Sequence, residues 1–142
     1  IKHLTDSMDI PKRIRLAKGH KTFSNCFGTA LYLAGIIERD RFIADLRDYE
    51  EQLRKLELIT QPEHYALAIF RRGKTNYIDL MAIVTGTDPV LLTHRDIIIC
   101  LESRFIEKEP LEEVVARYST PKMNAIPGPI NQIEYRRIQS SQ

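Results

Sequence analysis

The sequence lacks the signatures of several large classes of protein. It has no CxxC pair, no HExxH motif, no aspartate-rich calcium loop and no glycine-rich phosphate loop, so we expect neither a metal nor a cofactor. It also has no GxSxG elbow for a serine nucleophile. No uninterrupted run of about 18 apolar residues occurs, which predicts that no segment spans a membrane.

What is present is typical of one folded domain. The chain has 142 residues, of which 43% are hydrophobic and 28% are charged. Its formal net charge of +2 is too mild to indicate a nucleic-acid partner. The 2 cysteines suit a reducing compartment or one disulfide. No secretory leader is visible and the first residue is Ile1, so a cytoplasmic protein and one exported after removal of a leader both stay open.

Residues 1–21 are predicted to form a basic N-terminal arm, and residues 22–142 a single domain. The arm carries a cluster of basic side chains with no acid among them, and we interpret it as a solvated arm or short helix. Contact with nucleic acid or another anionic surface ranks lowest, because no aromatic side chains interleave the charges for base stacking. Such contact would weaken steeply with salt. The basic residues are Lys12, Arg13, Arg15, Lys18 and Lys21.

A buried helix is predicted to begin at Cys26. Ser24 and Asn25 precede it, and both are good N-cap types because their side-chain oxygens accept from unpaired backbone N–H groups. The run that follows is apolar on most sides, which is typical of a central helix. Gly28 would permit close packing against a neighbour, and Gly35 would mark the last turn. A second, amphipathic helix is predicted over about 40–58.

The period of the pattern changes after residue 62. Runs at 64–72, 77–86 and 90–101 predict three strands of an antiparallel meander. A short helix is expected after Pro110, an irregular crossing over 119–132 and a last strand over 133–138. Helices followed by a small antiparallel sheet predict an α+β domain.

Cys26 is the first candidate for chemistry. A thiol in the first turn of a helix lies at the positive end of the helix dipole, so its pKa is expected to fall below the free value of about 8.5. A nucleophile needs such a thiolate and a nearby base. A small core residue is the competing interpretation, and position alone leaves the two about even. Cys100, within an apolar run, is interpreted as a core thiol.

His94 is the better partner for Cys26 among the 4 histidines. It ends the third predicted strand, which lies beside the start of the second, where a base could face the helix N-terminus. His64 starts the first strand and lies beside the other end of the second. A hydrogen-bonded structural histidine is the usual alternative for either position.

The motif SNCFGTALYLAG, with the elements that follow it, resembles the nucleophile helix of the NlpC-like, papain-fold cysteine peptidases. The resemblance covers about residues 22–101. In that family a strand opening Pro-Gly-Asp comes next, and here Pro62-Glu63-His64 holds that place. A strand beginning His-x-Ala/Gly-Ile then supplies the base, and a third strand supplies a polar residue that orients it. The resemblance implies a papain-like domain over 22–142, with a peptide or acyl-bearing partner.

One residue departs from this family. Aligning LMAIV with its base-bearing strand puts Leu80 where the base should be, while Cys26 matches the nucleophile and His94 the orienting residue. Asp79 is one residue off and would face the opposite side. The resemblance therefore implies either a Cys26–His94 hydrolase or acyltransferase, acting on an amide or ester bond such as those of cell-wall peptides, or an inactive papain-like binding module.

Overall fold

A computed structural model describes residues 9–19, 24–73, 76–86, 90–96, 104–119 and 130–138. Only the backbone is described for residues 93–96, 104–107, 118–119 and 130–131. Within these ranges the chain forms four α-helices, one 3₁₀ helix and six strands. The helices are α1 (Ile10–Gly19), α2 (Cys26–Leu33), α3 (Glu50–Arg54) and α4 (Leu111–Ser119), with the 3₁₀ helix at Leu46–Tyr49. The strands are β1 (Glu57–Ile59), β2 (Leu67–Arg72), β3 (Tyr77–Thr85), β4 (Val90–Asp96), β5 (Arg104–Pro110) and β6 (Ile130–Arg137).

The six strands form one antiparallel sheet in the order β1-β6-β2-β3-β4-β5. This confirms the predicted α+β class, the meander of β2, β3 and β4, and the last strand. Residues 97–101 of the third predicted strand lie outside the described residues. The helix after Pro110 is confirmed as α4, whereas β1 and β5 were not predicted.

Two apolar clusters cover the two faces of this sheet. Along β3, Met81 and Ile83 enter the first cluster, which also holds most of α2 and part of α1. The alternate residues Leu80 and Val84 enter the second cluster, together with Val114 of α4. This alternation is the period of two that a strand imposes on its side chains. The site-bearing helix α2 therefore packs directly on β3 and β4.

The helix predicted over about 40–58 is confirmed only over 46–54, where a 3₁₀ helix is followed directly by the 5-residue α3. Its bounds are wrong, because residues 40–45 are not helical, with Asp45 extended, and β1 begins at Glu57. Asp45 ends the extended part, because its side chain accepts from the backbone N–H of Arg47 at 2.9 Å and caps the 3₁₀ helix. The preceding residues are held against α2, since Ile43 bonds the side chain of Asn25. Tertiary contacts have overridden the amphipathic pattern.

Several residues of the predicted arm belong to the core: Ile10 and Ala17 enter the first cluster, and Arg13 is buried as well. Arg13 is 9% exposed and donates to the carbonyls of Tyr32 and Ile37 at 2.5 and 2.9 Å, with its guanidinium 4.6 Å from the Tyr32 ring centroid. The bond to Tyr32 places a cation at a carbonyl in the last turn of α2, where it complements the helix dipole, and the bond to Ile37 ties α1 to the segment beyond that helix. Lys12, Arg15 and Lys18 are exposed. The boundary at residue 21 stays a prediction, because residues 20–23 lie outside the described residues, Lys21 among them.

An ion-pair network on β2 and β6 predicts how stability depends on pH. Glu134 accepts from Arg71 at 2.8 Å and from Arg136 at 2.6 Å. Burial raises the pKa of Glu134, but these two arginines outweigh burial and hold that pKa below its ordinary value of 4.5. A depressed folded-state pKa stabilises the fold above the unfolded-state pKa, and this contribution is lost as pH falls through the folded-state value.

At about pH 7 we expect Glu134→Gln to be less stable than the parent. Between about pH 5 and about pH 3 we expect the free energy of unfolding of this variant to fall by less than that of the parent. Urea unfolding at each pH measures the effect. Glu51→Gln is the control, because Glu51 is exposed. Parallel stability curves for Glu134→Gln and the parent would contradict the expectation.

Candidate functional site

The N-terminus of α2 is fixed by the side chain of Asn25. Its Oδ1 accepts from the backbone N–H of Gly28 at 3.0 Å and of Ile43 at 3.1 Å, and its Nδ2 donates to the Ile43 carbonyl at 2.9 Å. The N-cap prediction is thereby confirmed, with Asn25 as the cap. One amide side chain thus both caps the helix and ties the segment around Ile43 to it.

Ser24 has a different role beside the cap. Its hydroxyl donates to Asp40 Oδ1 at 2.6 Å, and Thr29 Oγ1 donates to the same oxygen at 2.9 Å. All three residues are buried. A carboxylate beside the first turn of a helix is stabilised by the helix dipole. Asp40 was missed from the sequence because the residue was assigned to a helix, and Asp40 shares no local motif with Ser24.

Gly28 permits a close backbone contact, as predicted. A Cβ on Gly28 would lie 1.6 Å from the Arg41 carbonyl oxygen, a distance that no side chain can occupy. Gly35 ends the helix with φ 80°. The backbone N–H of Gly35 donates to Tyr32 at 3.0 Å and that of Ile36 to Leu31 at 2.9 Å, which is a Schellman motif. Both glycine predictions are therefore confirmed.

Cys26 is the first residue of α2 and is partly buried. The next residue, Phe27, packs against the first cluster, whereas Cys26 packs against the second, the one that contains Leu80. Leu80 is only 1% exposed. The thiol thus borders the apolar cluster in which the residue at the family's base position is buried. The prediction that Cys26 begins a helix packed on the sheet is confirmed.

His94 lies on β4, where its backbone pairs with Ile106 of β5. On its other side β4 runs antiparallel to β3, with Leu92 paired to Ile83, so the backbone of His94 lies further toward the start of β3. Its side chain lies outside the described residues, as does all of Cys100. The pairing of His94 with Cys26 therefore stays a prediction.

His64 lies at the other end of β3, as expected. Its Nδ1 accepts from the backbone N–H of Gly86 at 2.9 Å, just beyond the last residue of β3. Phe27, next to Cys26, shares a hollow with Ile78 at the start of that strand. The two ends of this strand segment are roughly 23 Å apart at about 3.3 Å per residue. His64 and Phe27 therefore lie toward opposite ends of β3, and the roles of His64 and His94 as a base for Cys26 stay predictions.

Asp79 forms a buried ion pair. The pairing of β2 with β3 joins Arg71 to Ile78 and Phe70 to Leu80, so Asp79 is the extra residue of a β-bulge. Its Oδ2 accepts from Nε of Arg72 at 3.1 Å, and Arg72 is fully buried. The bonded arginine gives Asp79 a structural role, and the assignment of the base position to Leu80 stays a prediction.

A hollow of about 390 Å³ lies beside the N-terminal end of α2. Its apolar wall includes Phe27, Tyr77 and Ile78, and its polar wall includes Arg47 and Glu50. Cys26 is not part of this lining, but Phe27 follows it directly in the chain. The hollow is therefore lined by the residue that follows the candidate nucleophile, while Cys26 itself packs against the second cluster.

No family model, curated protein or solved structure matches this chain. Within the described ranges no helix has the length and apolar character needed to cross a membrane. No group of three or more potential metal ligands is found in the same part of the chain. The function must therefore be argued from the site alone.

Proposed function

We propose that the protein is a papain-like, cysteine-dependent hydrolase or acyltransferase in which Cys26 is the nucleophile and His94 the general base. The observation that carries this is the position of Cys26, partly exposed as the first residue of a side-chain-capped helix that packs on an antiparallel sheet. Such a position favours the thiolate through the helix dipole. It also keeps the sulfur accessible to a substrate.

The chemistry is acyl transfer through a thioester. His94 takes the proton from Cys26 Sγ, and the thiolate attacks the carbonyl carbon of an amide or ester. Backbone N–H groups at the start of α2 bind the resulting oxyanion. The tetrahedral intermediate then collapses, the C–N or C–O bond breaks, and the leaving amine or alcohol takes the proton from the imidazolium. Water, or an acceptor amine or alcohol, attacks the thioester and regenerates the thiol.

The hollow beside Phe27 supports a peptide-like acyl group. Its lining combines apolar side chains with the opposite charges of Arg47 and of Asp45 and Glu50. Arg47 and Asp45 pair with each other at 2.7 Å, so a cell-wall peptide, which carries both carboxylate and ammonium groups, would bind by exchanging its own charges for those of this pair. The volume of about 390 Å³ lies in the range typical of small-ligand pockets.

Turnover and thiol labelling test this proposal. We expect hydrolysis of p-nitrophenyl acetate or of cell-wall peptide fragments to fall by about 100-fold or more in Cys26→Ala. We also expect iodoacetamide to label Cys26 with a pKa below about 8.5. Cys100→Ala is the matched control and should retain activity, because Cys100 has no part in the mechanism. Turnover that survives in Cys26→Ala, or a labelling pKa at or above 8.5, would contradict the proposal.

A second candidate function is an inactive papain-like module that binds a peptide or glycan in the same hollow. What favours it is Leu80, which is 1% exposed and which the resemblance puts at the base position, with a side chain that cannot accept a proton. In that case the parent and Cys26→Ala would bind a cell-wall peptide with equal affinity, and neither would turn it over. Turnover that disappears in Cys26→Ala would refute this alternative.

A further inference from the structure

A second cavity, of about 450 Å³, opens at the end of β3 remote from the start of α2. Residues from α1, the loop before β2, the end of β3, β4 and β5 line it. They include Ile14, Lys18, His64, Tyr65, Leu92 and Lys108. The site is independent of the proposed thiol chemistry, because neither Cys26 nor Leu80 belongs to it.

The lining of this cavity is positively charged. It carries the ammonium groups of Lys18 and Lys108 and contains no acidic residue. Two acids with described side chains that neighbour the lining in sequence bond elsewhere: Glu63 pairs with Arg137 at 2.7 Å, and Glu109 with Arg117 at 2.6 Å. No ion pair to either lysine is seen within the part of the chain that the structure describes. Both charges are therefore available to an anionic ligand.

His64 adds a fixed hydrogen-bond donor. The Gly86 N–H donates to its Nδ1 at 2.9 Å, so the neutral ring carries its proton on Nε2. Tyr65 stacks on this ring, with centroids 3.8 Å apart. Tyr65 has φ 68°, and its N–H donates to Val84 at 2.6 Å. A non-glycine residue in this region is strained, and such strain concentrates at functional sites.

The remaining lining is mostly apolar, with aliphatic side chains such as Ile14, Val90 and Leu92 beside Thr85 and Gly86. A cavity whose lining combines apolar side chains with two cationic groups matches an amphiphilic anion. We propose that this cavity binds a small organic anion, a carboxylate with an apolar body of about eight carbons, whose carboxylate bonds Lys18, Lys108 and His64.

The test uses octanoate as the probe, titrated into the full chain by calorimetry at low ionic strength. Octanol and octylammonium of the same length are the ligand controls. We expect octanoate to bind and octylammonium not to bind. Lys18→Gln and Lys108→Gln should each weaken octanoate binding by about 3-fold, and the double variant by about 10-fold, as for partly exposed ion pairs.

Matched variants separate this site from general charge and from the thiol site. Lys12→Gln removes an exposed lysine from the same helix, outside the cavity, and should leave the octanoate affinity within about 1.5-fold of the parent, as a charge in solvent is screened. Cys26→Ala should also bind like the parent, whether or not the thiol chemistry is correct. Octanol binding as tightly as octanoate, an equal loss in Lys12→Gln, or no octanoate binding at millimolar concentration would each overturn the proposal.

Discussion

Gly28→Ala is expected to destabilise the domain by about 3 kcal/mol or more, the upper end of the cost of overpacking a well-packed site. Helix propensity alone predicts the opposite sign, because alanine is favoured over glycine in a helix by up to about 1 kcal/mol. The clash should win, since the new Cβ would lie 1.6 Å from the Arg41 carbonyl oxygen and 2.7 Å from its carbonyl carbon. Both are backbone atoms and cannot rotate away.

The segment that contains Arg41 has little room to move away from α2. It is tied to α2 through the two bonds between Asn25 and Ile43 and through Asp40, which binds Ser24 and Thr29. Urea or thermal unfolding measures the loss. Glu51→Ala is the control, because Glu51 is an exposed residue of α3. The free energy of unfolding of this variant should stay within about 0.5 kcal/mol of that of the parent. A Gly28→Ala variant as stable as the parent would show that this close contact does not exist in solution.

Leu80→His is expected to lower the labelling pKa of Cys26 by at least about one unit, because a neighbouring imidazolium favours a thiolate. Leu80 is a member of the apolar cluster against which Cys26 packs, so the new ring would lie within that cluster. The change has a cost, since Leu80 is 1% exposed and a buried polar ring loses its hydration. Iodoacetamide labelling as a function of pH measures the pKa shift, and far-UV circular dichroism checks the fold.

Leu80→Asn is the matched control for this second prediction. Asparagine is polar and close to leucine in size, but it cannot become a cation. It should therefore destabilise the domain without lowering the labelling pKa of Cys26. If Leu80→His folds and Cys26 labels with the same pKa as in the parent, Leu80 does not occupy the base position. The reason given for an inactive module is then wrong. If Leu80→His does not fold, the smaller change Cys26→Ser, assayed for turnover, still tests the role of the thiol.

Local chemistry in the sequence determined much of the helix that bears the candidate nucleophile. Asn25 before an apolar run predicted the cap, and Gly35 predicted the end, because both effects depend on residues within one turn. Strands β2, β3 and most of β4 were also predictable. Each of these strands is a short apolar run, and turn-forming residues separate one run from the next. Both features can be seen in a few neighbouring residues.

The amphipathic segment after residue 40 shows where local patterns fail. Its apolar spacing fits a helix, yet Ile43 is held by Asn25 and Asp45 caps a 3₁₀ helix instead. A periodic pattern indicates which side chains are apolar enough to be buried. The residues that bury them lie elsewhere in the chain and do not show in the pattern. The same limit applies to Asp40, whose bonds to Ser24 and Thr29 join residues that share no sequence motif.

The sequence by itself determined the class of the fold, the capped helix at Cys26 and the strands that face it, because these depend on neighbours in the chain. Only the tertiary structure decided that β6 inserts between β1 and β2, that Arg13 binds the end of α2, and that Lys18 and Lys108 share a cavity with His64. These contacts join residues far apart in sequence. Their formation depends on chain topology and on the packing of the whole core, which no local pattern encodes.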